Sequence, residues 1–150
     1  LSGSGGLGRS GRGLNPLPMK THVRLARPVT DLRRTEAMYR DGLGLKRLDH
    51  FDDHDGFDGV MLGEPGGTYH FEFTTCRHHP VIPTPTPDDL IVFFVSDRQE
   101  WLQRCQAMES AGFKSVASFN PYWEQQGRTF EDHDGYRIVL QGSSWNSRAE

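Results

Sequence analysis

The chain has 150 residues, 35% hydrophobic and 25% charged, with 9 Phe, 4 Tyr and 3 Trp, a composition that suits one folded domain and excludes wholesale disorder. Its formal net charge is −3, and residues 21–150 carry 14 basic against 20 acidic side chains, so nucleic acid and anionic membrane are excluded as expected partners. The longest apolar run, Leu90 to Val95, is six residues, against the roughly 20 that a membrane-spanning helix needs.

Residues 1–18 are rich in Gly, Ser, Arg, Leu and Pro and lack aromatic residues. They read as an unstructured leader or a tail of cloning origin, with Met19 as the natural start. Thr21 to Ala26 alternates as a strand, and Pro28 bars regular continuation. Thr30 or Asp31 can cap a helix that carries Leu32, Thr35, Met38, Tyr39 and Leu43 and stops at Gly42 or Gly44. Strands follow at Lys46 to Phe51 and Phe57 to Leu62, with Asp55-Gly56 as the turn between them. Glu64-Pro65-Gly66-Gly67 is a second turn. Thr68 to Thr75 then alternates, with Tyr69, Phe71 and Phe73 on one face and His70, Glu72 and Thr74 on the other.

Four of the nine prolines lie between Pro80 and Pro87, a stiff connector unfit for a sheet interior. The same order then returns. Asp89 to Val95 predicts a buried strand, and Ser96 or Asp97 caps a helix with a stripe of Trp101, Leu102, Cys105 and Met108. Strands are expected at Phe113 to Ala117, Gly127 to Phe130 and Tyr136 to Leu140, with an aromatic loop from Phe119 to Gln126. Asp53-His54-Asp55-Gly56 and Asp132-His133-Asp134-Gly135 are identical tetrapeptides that fall in different turns, an identity of hairpin chemistry rather than a repeat. Their acids miss the calcium-loop pattern, because Phe51 and Phe130 fill its first position. The two cysteines, Cys76 and Cys105, are too few for a zinc cage or a disulfide framework, and a reduced, cytoplasmic setting is expected.

A tandem β-α-β-β-β pair resembles the vicinal oxygen chelate superfamily, which holds glyoxalase I, extradiol dioxygenases, and fosfomycin- and bleomycin-resistance proteins. The resemblance is carried by Arg27-Pro28-Val29-Thr30-Asp31-Leu32 leading into the first helix and by Tyr39 to Leu45 ending it. Glu131 to Leu140, the acidic Asp-Gly hairpin, closes the chain. It implies an α+β fold in which modules at 22–77 and 88–141 curl a U-shaped mixed sheet around a cup. Residues 78–87 connect them within one domain, 19–141, followed by a tail at 142–150. It also implies a small organic ligand and a homodimer.

Metal-using members of that superfamily hold one divalent ion at four cup positions. Carried over, these fall on Arg24, Glu72, Leu90 and Val139, of which Glu72 alone is a ligand side chain. Leucine and valine coordinate nothing, and a guanidinium repels a metal. The expected reading is therefore a metal-free site without cofactor, in which Arg24 supplies the positive charge and pairs with Glu72. If that pair is buried, Glu72→Gln would cost roughly 3–5 kcal/mol; if exposed, about 0–1 kcal/mol. The ligand-binding candidates are Arg24, Glu72, His22 and His70 in the cup, with Tyr122 and Trp123 at its edge. The leading function is sequestration of a small molecule, as in the bleomycin-resistance branch. The alternative is a glyoxalase- or dioxygenase-like enzyme, using one divalent ion on His22, His70 and Glu72 or acid–base chemistry at Glu72.

Overall fold

A computed structural model describes Leu17 and residues 19–149; the leader expected at 1–18 lies, apart from Leu17, outside the described residues. The order is β1 (Val23–Pro28), α1 (Leu32–Leu43), β2 (Lys46–His54), β3 (Phe57–Gly63), β4 (Tyr69–Cys76), β5 (Leu90–Phe94), α2 (Arg98–Ser110), β6 (Lys114–Val116), β7 (Gly127–Glu131) and β8 (Arg137–Gln141). A single 3-10 turn, Pro121–Glu124, interrupts the loop before β7. The strands form two mixed four-stranded sheets, β1-β4-β3-β2 and β5-β8-β7-β6. Each sheet pairs its first strand in parallel with its last and joins the other three in antiparallel meander. This is the α+β fold of the expected superfamily, built from two β-α-β-β-β modules.

Both helices start as their sequences demand. Asp31 accepts from the Arg34 N–H at 3.1 Å and Asp97 from the Glu100 N–H at 2.8 Å, each satisfying a free donor of the first turn. Gly44 ends α1 in the left-handed region. Alternation then sorts the faces of β4. Phe71 and Phe73 are fully buried against Tyr39 of α1, while His70 and Glu72 point away from the helix. The core is continuous between modules, since Tyr39, Phe71 and Phe73 share one cluster with Trp101, Met108, Phe113, Phe130 and Leu140. The helices touch where α1 is smallest: a side chain on Gly42 would meet Phe113 at 2.9 Å, and Arg104 of α2 donates to the Gly42 carbonyl at 3.0 Å.

Three expectations are corrected in detail. The first strand runs through Pro28, paired with Thr74, because β1 is an edge strand and loses no sheet hydrogen bond there. The strand expected to be buried, β5, is half-buried, because it too is an edge. The Phe119 to Gln126 loop folds into the 3-10 turn, with the Asn120 side chain accepting from the Tyr122 N–H at 3.0 Å.

Candidate functional site

The face of the first sheet turned away from α1 gathers His22, Arg24, Met61, His70 and Glu72. The parallel register sets Arg24 opposite His70 and Ala26 opposite Glu72, so the long Arg24 side chain reaches both neighbours on β4. Its Nε donates to His70 Nε2 at 2.9 Å and its Nη1 to Glu72 Oε2 at 3.1 Å, while Nη2 lies 3.9 Å from Met61 Sδ. His22 bonds to the other nitrogen of His70 and, through Nδ1, to the Gly67 carbonyl at 3.0 Å. The two rings stack with centroids 4.7 Å apart.

Two glycines of β3 shape the wall. A side chain on Gly59 would meet the Phe51 ring at 2.2 Å, and one on Gly63 would meet Leu48 at 3.0 Å and His70 at 2.9 Å. The absence of these side chains lets Phe51 and Leu48 of β2 lie over the sheet. The cup thus has a polar floor of four side chains and an apolar flank of Leu48, Phe51 and Met61.

The Arg24–Glu72 pair is therefore made, and of the two alternatives for it the structure favours the exposed one. The Arg24 side chain is 49% exposed and that of Glu72 16%. Arg24 sits on an edge strand, so water reaches it from the side. Glu72→Gln is expected to cost about 0–1 kcal/mol, the range of solvent-exposed pairs, rather than the buried-pair value. Urea unfolding of the variant beside the parent checks this.

His70 supplies a pH response. Partial burial, then the nearby Arg24 charge, holds its pKa below the ordinary histidine value of 6.5. The unfolded chain then binds the proton first as pH falls, so the contribution is fully present above 6.5 and is lost as pH drops below it. Thermal stability is expected to decline between about pH 7.5 and pH 5.5, and less steeply in His70→Gln. Equal slopes would remove His70 as the cause.

The second module repeats the register but not the chemistry. Leu90 lies opposite Arg137 and Val92 opposite Val139, so Leu90 occupies the place of Arg24 and Val139 that of Glu72. This second cup is filled by its own chain. Thr129 and Val139 are buried, Ser118 Oγ bonds to Thr129 Oγ1 at 2.6 Å, and the Trp123 carbonyl leaves no room for a side chain on Gly127. Tyr122 and Trp123 therefore stand against the second module. Tyr122 is 56% exposed and lines a cavity with Phe94 and residues 143–148. The structure brings His22, Arg24, His70 and Glu72 together and keeps the two aromatics apart from them.

Two further clefts bear on the site. One of about 470 Å³, between α1 and the β2–β3 hairpin, is lined by Glu36, Arg47, Asp58 and Arg77. These four side chains are already engaged in two-point pairs, Arg47 on Glu36 at 2.7 and 2.8 Å and Arg77 on Asp58 at 2.9 and 2.8 Å. The Arg77 pair, with a backbone bond from Asp53, lowers the Asp58 pKa to about 2. The other cleft, of about 260 Å³, is apolar and lies beneath Val81 and Ile82 of the connector, beside Phe57 and Cys76. Both cysteines are free.

One cluster escaped the sequence reading. The Asp132-His133-Asp134-Gly135 turn docks onto β1 and α1. Tyr39 donates to Asp132 at 2.8 Å, Thr35 Oγ1 bonds to His133 Nε2 at 2.7 Å, the Thr30 N–H donates to Asp134 at 3.1 Å, and Tyr136 donates to the Pro28 carbonyl at 3.0 Å. Arg27 stacks over the Tyr136 ring at 4.5 Å. The tetrapeptide was visible in the sequence; its burial was not.

The divalent ion implied by the fold meets a poor set of donors here. His70 Nε2 already accepts from Arg24, and a permanent cation lies within hydrogen-bonding distance of both His70 and Glu72. Among the described residues no group of three or more His, Cys, Asp or Glu side chains gathers as metal binding requires.

Known proteins share this architecture. Sequence profiles of the YycE-like N-terminal and C-terminal domains match residues 23–74 and 88–142. An uncharacterised protein, YycE of Bacillus subtilis strain 168, is 42% identical over 121 residues, covering 81% of this chain and 87% of that protein. The crystal structure of a Bacillus subtilis YycE protein of unknown function superposes with a TM-score of 0.75 at 39% identity, covering 86% of this chain and 94% of that one. The fold extends to the fosfomycin resistance protein FosX of Mesorhizobium loti, with a TM-score of 0.67, 10% identity, and 85% and 94% of the two chains covered. It extends also to Leishmania major glyoxalase I, with a TM-score of 0.63, 22% identity, and 83% and 88% covered. At such identities these two show the fold alone. With both domain profiles matched in order, the chain belongs to the YycE-like family of the vicinal oxygen chelate superfamily.

Proposed function

We propose that this protein is a small-molecule-binding member of its superfamily that works without a metal, holding an organic ligand in the first-module cup. The observation that carries the reading is the Arg24 guanidinium bonded to both His70 and Glu72. A fixed positive charge stands at one of the four positions that the resemblance assigns to the ion's ligands, and a divalent cation at Glu72 would be repelled by it. Leu90 and Val139 at the matching second-module positions support the same reading, since neither can coordinate.

The working unit is a homodimer in the cytoplasm, with residues 19–141 as one domain, 78–87 as its connector and 142–150 as a tail. The half-open first cup, together with Phe119 and Tyr122 at 68% and 56% exposure, offers apolar surface for a second copy to cover. Elemental analysis of protein purified without chelator tests the metal question: zinc, iron and manganese are expected far below one ion per chain. Stoichiometric metal that is lost in Glu72→Gln would overturn the proposal. Light scattering should give twice the chain mass.

A further inference from the structure

The hydrogen bonds of the cup run in one direction. Arg24 Nε–H donates to His70 Nε2, which places the ring proton of His70 on Nδ1, facing His22 Nε2. His22 then carries its own proton on Nδ1 and donates it to the Gly67 carbonyl. The chain ends on an amide oxygen that has no proton to pass on, so it orients the guanidinium and does not relay protons.

What this arrangement leaves free is specific. Among the described residues, Nη2 of Arg24 has no oxygen partner and Oε1 of Glu72 accepts no hydrogen bond, Oε2 having taken the Nη1 bond. A free donor and a free acceptor thus belong to the same ion pair, and Arg24 is exposed enough to be reached. The pair's charges cancel. An incoming anion would meet Glu72 at short range and an incoming cation would meet Arg24, and either like-charge contact is unfavourable. Leu48, Phe51 and Met61 offer apolar contact to the rest of a ligand.

We infer that the first-module cup selects an uncharged, planar group presenting a carbonyl acceptor beside an N–H donor, such as a carboxamide, lactam or ureido edge, on an apolar body. The carbonyl accepts from Arg24 Nη2 and the ligand N–H donates to Glu72 Oε1. This rests on the proposed reading of the cup as a small-molecule site and adds the ligand class.

Benzamide, benzoate and benzamidinium are matched in shape and differ in charge, which makes them suitable probes. Each is titrated into the full chain while the Arg24 Nε–H resonance is followed by NMR. Benzamide is expected to bind about tenfold more tightly than either ion. In Glu72→Gln the guanidinium is uncompensated, and the preference should pass to benzoate; in Arg24→Gln benzamide binding should be lost, read from the His22 and His70 ring resonances. Equal or tighter binding of benzoate or benzamidinium by the parent protein, or an unchanged preference in Glu72→Gln, would overturn the ligand class while leaving a binding site. No binding of any probe to parent or variants would overturn the small-molecule reading itself.

Discussion

Replacing Asp132 with alanine is expected to destabilise the protein by about 3–5 kcal/mol, the scale of breaking a buried polar network by removing one partner. The carboxylate is 5% exposed and accepts from the Tyr39 hydroxyl and from the backbone N–H groups of Asp134 and Tyr136, at 2.8, 2.9 and 3.0 Å. Tyr39 is itself fully buried, so alanine leaves its hydroxyl without a partner in the core. Burial, followed by the Asp132 charge, already drives the Tyr39 pKa well up, so the phenol keeps its proton and remains a donor. Asp132→Asn keeps an acceptor and should cost far less. Urea unfolding of the three proteins decides the matter, and a loss below about 1 kcal/mol for alanine would show that the contact is dispensable. The same exchange at Asp53, in the identical but exposed tetrapeptide, should cost only about 1 kcal/mol, from an exposed pair with Arg77 and a left-handed backbone that alanine tolerates less well.

The second large effect is expected at Phe71. Its ring is fully buried, 5.5 Å from that of Phe73 and 5.3 Å from that of Tyr39. Phe71→Ala should cost about 3–5 kcal/mol, from lost transfer free energy and the cavity left between sheet and helix. Phe57→Ala removes the same atoms from a side chain 42% exposed on the other face of the sheet, where the loss should stay below about 1 kcal/mol. Thermal unfolding of both variants measures the contrast. A comparable loss at the two sites would mean that strand parity does not set which ring carries the core.

That parity was legible in the sequence, and so was much of the fold. The alternation of Tyr69, Phe71 and Phe73 with His70, Glu72 and Thr74 assigned the β4 faces, and Asp31 and Asp97 announced both helix starts, because these signals are local. The site was legible only as a set of candidates. Arg24 and Glu72 are 48 residues apart, and their meeting depends on the parallel pairing of β1 with β4, which the superfamily resemblance supplied and no local pattern encodes. Exposure escaped for a related reason. Whether Arg24 is covered depends on its strand being an edge, and whether an Asp-His-Asp-Gly turn is buried depends on what the rest of the chain brings to it. The first such turn stays in water between β2 and β3, while the second docks under α1. The cost of leaving Tyr122 and Trp123 in water points to a partner for them without naming it, and no local pattern tells that their turn contacts β7 of the second module.

The contact of α1 with α2 at Gly42 bears on how the molecule opens. Because one core cluster runs through both modules and Met108 and Phe113 of the second pack directly on Gly42 of the first, neither half can loosen without uncovering the other's aromatic residues. The two halves are then a single cooperative unit despite their separate sheets. Slow amide hydrogen exchange should therefore report the same opening free energy for Phe73 in the first sheet as for Leu140 in the second, and the two values should fall together under rising denaturant.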